Sequence, residues 1–303
     1  MRSAKAVIPL GLEMWRRQLK KLLPPERFRD SISLGLSVAE EAGYVVRNAL
    51  DTSLGFSWKL LYGSDYHRRR LSEYGHQKRL LVMVPGYMQS PLSFQRLEQY
   101  LSSEPFDVFT YLWGDFPYSQ DITISAAQLA RVLEEVYCHT TAGEIYLLGH
   151  SQGGIIIRVM VQHGLAAGLP IRKCLFLSSP HQGTWVGVAA VPHRGVRKLV
   201  DLLPYVRKVS GESGVQLLPG SPLLNDLNSR PLPDGIQFSS VFYSWDPMIW
   251  PPSNAILPYP EARNFFIRKF GHAHPLYCPQ VARLAARELY GQVESENSGL
   301  QPG

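Results

Sequence analysis

The sequence predicts a doubly wound α/β fold on a mostly parallel sheet, with a helical lid insertion and an N-terminal helical extension. The first observation behind this is an alternation, from residue 79 onward, of short apolar runs with segments of helical periodicity. The second is a glycine-flanked serine that joins one such run directly to a helix. The third is a stretch of about fifty residues, 185–235, between two of the runs, where roughly two to six are usual.

The first run, Leu80-Leu-Val-Met-Val-Pro85, is apolar throughout, as a strand covered on both faces must be. A helix is expected over Ser93–Leu101 and a strand over Val108–Trp113. From Ile124 to Tyr137, Leu129, Val132, Leu133 and Val136 recur on one helical face. Glu144–Leu148 reads as a strand that runs into Gly149-His-Ser-Gln-Gly-Gly154 and a helix through Ile155–His163. Cys174–Leu177, Phe238–Tyr243 and Asn264–Ile267 complete the strands, and a last helix spans about residues 279–290. Inside 185–235, Val196–Val206 has helical spacing, while Pro219-Gly220 and Pro231-Leu-Pro-Asp-Gly235 form turns. A lid over a binding site is the natural reading of this insertion. Residues 292–303 read as a polar flexible tail.

Residues 1–78 follow another grammar. Basic Arg16, Arg17, Lys20, Lys21, Arg27 and Arg29 mix with Leu10, Met14, Trp15, Leu19 and Leu22. Ile32, Leu36, Ala39, Tyr44 and Val46 then keep helical apolar spacing, weakened by Gly35 and Gly43, and the polar stretch Tyr66-His-Arg-Arg-Arg70 follows. The segment is expected to be a helical extension that packs at the entrance of the 79–291 domain or binds a surface. Residues 1–79 hold 15 Lys and Arg against 8 Asp and Glu, so the net charge of +6 belongs to this quarter of the chain. Peripheral contact with an anionic membrane through residues 1–30 is one reading of this charge, and a solvated helix face is the other. No apolar run reaches the ~18 residues that a membrane span needs. Nucleic-acid binding is not expected, because the basic residues accompany no known module. The three cysteines, Cys138, Cys174 and Cys278, are far apart and odd in number. That pattern suits a reducing, cytoplasmic setting, with Cys138 and Cys174 as buried filler.

Gly149-His-Ser151-Gln-Gly153 fits a nucleophile elbow: a strand enters, a helix leaves, and the glycines permit the tight turn between them. The helix N-terminus then favours negative charge developing beside the Ser151 hydroxyl. That hydroxyl needs a base, and the base needs an orienting carboxylate. Asp246 follows the strand Phe238–Tyr243, and His272, with His274 close by, follows the strand Asn264–Ile267. Both therefore fall at carboxyl ends of strands, the rim where open parallel sheets bind ligands. Asp234 and Glu261 are the alternative acids.

Four further segments resemble the bacterial lipase and esterase branch of the α/β-hydrolases. Ser179-Pro-His-Gln-Gly-Thr184 is similar to its TPHxGT segment, and Ser221-Pro-Leu-Leu-Asn-Asp-Leu-Asn228 to its SPFLxxLN segment. Asp246-Pro-Met-Ile-Trp-Pro251 resembles its acid loop, and Gly271-His-Ala-His-Pro-Leu-Tyr-Cys-Pro279 its histidine loop. The resemblance spans about residues 79–291. It implies the α/β-hydrolase fold, a Ser151–His272–Asp246 triad, and His272 as base in preference to His274. It also implies an oxyanion hole made by the backbone N–H groups of Gln152 and Tyr87. Where the family has His-Gly, this chain has Pro85-Gly86, a departure that alters packing around that loop. The implied activity is hydrolysis of a carboxylic ester, lipid-like in view of the apolar residues in the lid and beside Asp246, with no cofactor and no metal. A catalytically silent scaffold, and an acyltransferase or amidase using the same triad, are the alternatives.

Overall fold

The computed structural model describes residues 28–62, 77–102, 106–112, 120–186 and 210–291. Six strands form one sheet: β1 (Arg79–Val84), β2 (Asp107–Thr110), β3 (Glu144–His150), β4 (Ile171–Leu177), β5 (Gln237–Trp245) and β6 (Arg263–Phe270). Their order is β2-β1-β3-β4-β5-β6, and every neighbouring pair is parallel. Each apolar run read from the sequence lies on one of these strands. The expected strand to Trp113 stops at Thr110, and Trp113 is outside the described residues.

The continuous hydrophobicity of β1 follows from cover on both faces. Leu80, Val82 and Val84 join a core with Leu129 and Leu133 of α3 (Ile122–Cys138) and Ile155 and Val159 of α4 (Gln152–Gln162). Leu81 and Met83 point the other way, to Leu97 of α2 (Gln95–Leu101) and Leu284 of α6 (Pro279–Tyr290). Burying one such side chain stabilises the fold by about 1.5–3 kcal/mol, so two full layers of helix outweigh the polar groups that the site buries. Cys174 and Cys278 are buried, but Cys138 is exposed. Cys138 ends α3 two residues after buried Val136, which turns it about 200° away from the face that packs.

Helix α1 (Phe28–Tyr62) contains the periodic segment 31–50, but it is turned the opposite way from an ordinary surface helix. Ser37, Glu41, Asp51 and Thr52 are buried, whereas Leu36, Val46, Leu50 and Leu54 are 67%, 61%, 58% and 58% exposed. The apolar spacing of Leu36, Ala39 and Val46 thus marks an outward face, because the inward face meets loops rich in polar backbone groups. Residues 1–27, the basic run Tyr66–Arg70, the helical piece Val196–Val206 and the tail 292–303 lie outside the described residues. Of the 185–235 insertion, residues 210–216 are helical and α5 spans Pro222–Ser229. Gln216 fastens the insertion to α3, accepting from Ile122 N–H at 2.7 Å and donating to Asp121 at 2.8 Å.

Candidate active site

β1 leads outward to β2, and β3 starts the run of strands in the opposite direction, so the connections diverge above the carboxyl ends of β1 and β3. Ligands of doubly wound sheets bind at that divergence. Ser151 stands there, between β3 and α4, with φ 53° and ψ −127°. A non-glycine residue held in that region is strained and persists only where its surroundings impose it. The imposition is visible at Gly149, where a Cβ would fall 2.6 Å from the Cα of Gly154. Gly86, just past β1, comes equally near: a Cβ there would be 2.8 Å from the Ser151 Cβ. The turn at Gly86 therefore lies directly against Ser151, and Gln152 opens α4 immediately after that serine. Of the two residues named for the oxyanion hole, Gln152 directly follows Ser151 and Tyr87 directly follows Gly86.

His272 follows β6 and Asp246 follows β5. His272 Nε2 is 3.1 Å from Ser151 Oγ, and its Nδ1 is 2.9 Å from Asp246 Oδ2. The other oxygen of Asp246 accepts from the N–H groups of Met248 and Ile249 at 2.8 and 3.0 Å, which fixes the carboxylate plane. Asp246 is 2% exposed. Burial opposes charge on His272, yet Asp246 beside it, and Glu41 after it, hold its pKa above the ordinary histidine value. Three side chains far apart in sequence thus form one continuous hydrogen-bonded chain.

The other histidines are placed differently. His274 is buried and bonds the Tyr243 hydroxyl at 2.9 Å, and burial pulls its pKa down to about 4. His181 is buried, and burial holds its pKa well below the usual range. His150 bridges two loops, with Nδ1 2.9 Å from Gln89 Oε1 and Nε2 2.8 Å from the His272 carbonyl oxygen. Burial lowers its pKa to about 3, so the neutral ring donates to one of these acceptors at a time. Asp234 and Glu261 are exposed, and Asp246 is the carboxylate that meets His272.

Two residues with no sequence signal complete the surroundings. Gln89 Oε1 accepts from Gly86 N–H at 2.7 Å, shaping the turn after β1. Glu41 of α1 is buried, and its carboxylate accepts from the backbone N–H groups of His272, Ala273 and His274 at 2.6, 2.6 and 2.9 Å.

Among solved structures, Aspergillus fumigatus lipase B is similar at a TM-score of 0.55 and 16% identity, over 71% of this chain and 54% of that one. The chain has the α/β-hydrolase fold. The match spans little more than half the length of the fungal lipase chain. A lipase-esterase related protein of Clostridium acetobutylicum ATCC 824 shares the α/β-hydrolase fold at a TM-score of 0.50 and 14% identity, over 71% of this chain and 97% of that one. A family model described as palmitoyl protein thioesterase matches residues 81–212, from β1 past Ser151 into the insertion. No curated protein sequence matches the chain.

Within this fold, the segments Ser179–Thr184 and Ser221–Asn228 are neighbours. Fully buried Arg158 of α4 ties them, donating to the His181 carbonyl at 3.5 Å, to Asn228 Oδ1 at 3.0 Å and to the Tyr259 hydroxyl at 2.9 Å. Burial lowers even this guanidinium to about pKa 10, still charged near neutrality. The insertion is thereby anchored to α4, the helix that Ser151 caps.

Proposed function

We propose that the protein is a serine hydrolase that cleaves a carboxylic ester bearing a long apolar acyl group. The observation carrying this reading is the continuous relay from Asp246 through His272 to a strained Ser151. Ser151 attacks the acyl carbonyl as His272 takes its proton, and Asp246 stabilises the imidazolium that results. The amides of Tyr87 and Gln152 receive the charge that develops on the carbonyl oxygen. His272 then protonates the leaving alcohol, and water releases the acyl group by the same route. A scaffold protein has no use for a relay of this kind.

Apolar side chains beside the relay support the long acyl group. Trp185 and Met248 are 36% and 46% exposed, and Thr184 holds their loops together by donating to the Met248 carbonyl at 2.9 Å. A second reading, in which the acyl group is held in a thioester, draws its support from the family match over residues 81–212. Acyl chain length and leaving atom are tested with p-nitrophenyl esters and matched thioesters from two to sixteen carbons, a span wide enough to reveal an extended apolar site. The expected outcome is kcat/KM rising with chain length. Preference for acetyl over long chains would remove the lipid-like substrate, and faster turnover of thioesters at equal length would favour the second reading.

The outward apolar face of α1 supports peripheral contact with an anionic membrane, adjoining a basic N-terminal stretch. No helix among the described residues is long and apolar enough to cross one. Removal of residues 1–27, and separately Leu50→Glu with Leu54→Glu, is expected to weaken sedimentation with phosphatidylglycerol-containing vesicles. Undiminished binding in both would rule out this contact.

A further inference from the structure

Helix α1 reaches both loops that the proposed chemistry uses. At its C-terminal half, Thr52 donates to the Met88 carbonyl at 2.8 Å, and the Asp51 carbonyl accepts from Ser90 Oγ at 2.9 Å, gripping the loop after β1. Asp51 also accepts from the Tyr277 hydroxyl at 3.1 Å. About three turns earlier on the same inward face stands Glu41, 2% exposed. Its carboxylate closes on three successive amides, those of residues 272, 273 and 274. Consecutive N–H groups converging in this way make a concave site for an anion, and an intramolecular carboxylate fills it here. The backbone of His272 is thus fixed on one side by Glu41 and on the other by His150, which meets its carbonyl oxygen at 2.8 Å.

Resting on the hydrolase reading above, we infer that Glu41 is a positioning residue, whose carboxylate holds the histidine loop so that the His272 imidazole stands between Asp246 and Ser151. The contact is made to backbone, so the carboxylate governs where the loop lies without touching the reacting atoms. Its charge has a second consequence. Burial pushes the Glu41 carboxyl up while the three amides oppose that rise, and its negative charge favours the imidazolium form of His272. The other titratable groups around His272 are Asp246, His150 and the Ser151 hydroxyl, while Tyr243 and His274 lie behind Glu41. Charge and contact therefore act on the same imidazole from α1.

The test uses the full chain and compares wild type with Glu41→Gln, Glu41→Asp and Glu40→Gln. The rate of fluorophosphonate labelling at Ser151 is followed against pH, together with kcat and KM for p-nitrophenyl butyrate and the melting temperature. Glutamine has one acceptor oxygen and sets an N–H₂ against the remaining amide. Glu41→Gln is therefore expected to slow labelling by about 10- to 100-fold, as expected for a slightly misplaced catalytic group. Its acid limb is expected to move to lower pH, with KM little changed. Glu41→Asp keeps the charge but is one methylene short, so labelling slows while the acid limb stays near the wild-type position. If Glu41→Gln melts below the assay temperature, Glu41→Asp supplies the rate comparison. Glu40→Gln, at the half-exposed neighbour, is expected to behave as wild type. Wild-type rates and an unmoved limb in the folded Glu41 variants, or the same losses in Glu40→Gln, would overturn the inference. Absence of labelling in wild type would overturn the hydrolase reading and this inference with it.

Discussion

Ser151→Ala is expected to lower kcat for ester hydrolysis by about 10⁶-fold, the scale seen when a triad nucleophile is removed elsewhere. The size of the effect comes from the loss of a two-step route: with no hydroxyl 3.1 Å from His272 Nε2, no acyl-enzyme forms. The backbone cradle survives the change. Gly86 and Gly149 keep their close approaches, and the residual rate comes from the oxyanion donors and binding alone. His272→Ala is expected to cost nearly as much, and the double variant little more than either, because the relay acts as a unit. Fluorophosphonate labelling with steady-state kinetics on a soluble ester checks both statements. Labelling that persists in Ser151→Ala would move the nucleophile to another residue and dismantle the proposed chemistry.

Asp246→Asn is expected to reduce kcat by about 10⁴-fold with little change in fold, the scale reported for the same change in a related triad. The reason lies in what each oxygen of Asp246 does. Oδ1 accepts two backbone N–H groups, from Met248 and Ile249, and Oδ2 accepts from His272 Nδ1. An asparagine keeps its carbonyl oxygen toward the two amides, which leaves its N–H₂ facing Nδ1. The imidazole must then carry its proton on Nε2, the nitrogen that has to receive the Ser151 proton. The pH profile follows with a definite sign. His272 must be neutral to act as base, so activity is present above its pKa and lost as pH falls through it. Burial works against the charged ring, while Asp246 raises that pKa, so the acid limb of kcat/KM lies above the ordinary histidine range in wild type. In Asp246→Asn the limb is expected to shift to lower pH. A limb that stays in place would show that another group sets it.

Much of the fold was legible because its signals are local. The run from Leu80 to Val84 is apolar on both alternating faces, and that alone requires a strand covered twice. Gly149, Ser151 and Gly153 carry the geometry of the elbow in their own backbone requirements, and the order of Ser151, Asp246 and His272 reads along the strand ends. The orientation of α1 was not legible. Leu36, Ala39 and Val46 have the spacing of a buried stripe, yet they face outward, since polar residues on the opposite side find backbone partners in loops distant in sequence. Cys138 is exposed for a related reason: apolar neighbours in sequence do not specify which side of a helix packs.

By itself, the sequence determined the alternation of strands and helices, the elbow at Ser151 and the carboxyl-end placement of Asp246 and His272. Each depends on periodicity or on a backbone conformation imposed within a few residues. Only the tertiary structure decided that Gln89 shapes the turn after β1 and that Glu41 closes on amides 231 to 233 positions away. A buried polar side chain is stabilised by whichever partners the fold brings to it, and a pairing over that separation imposes no periodicity on the chain.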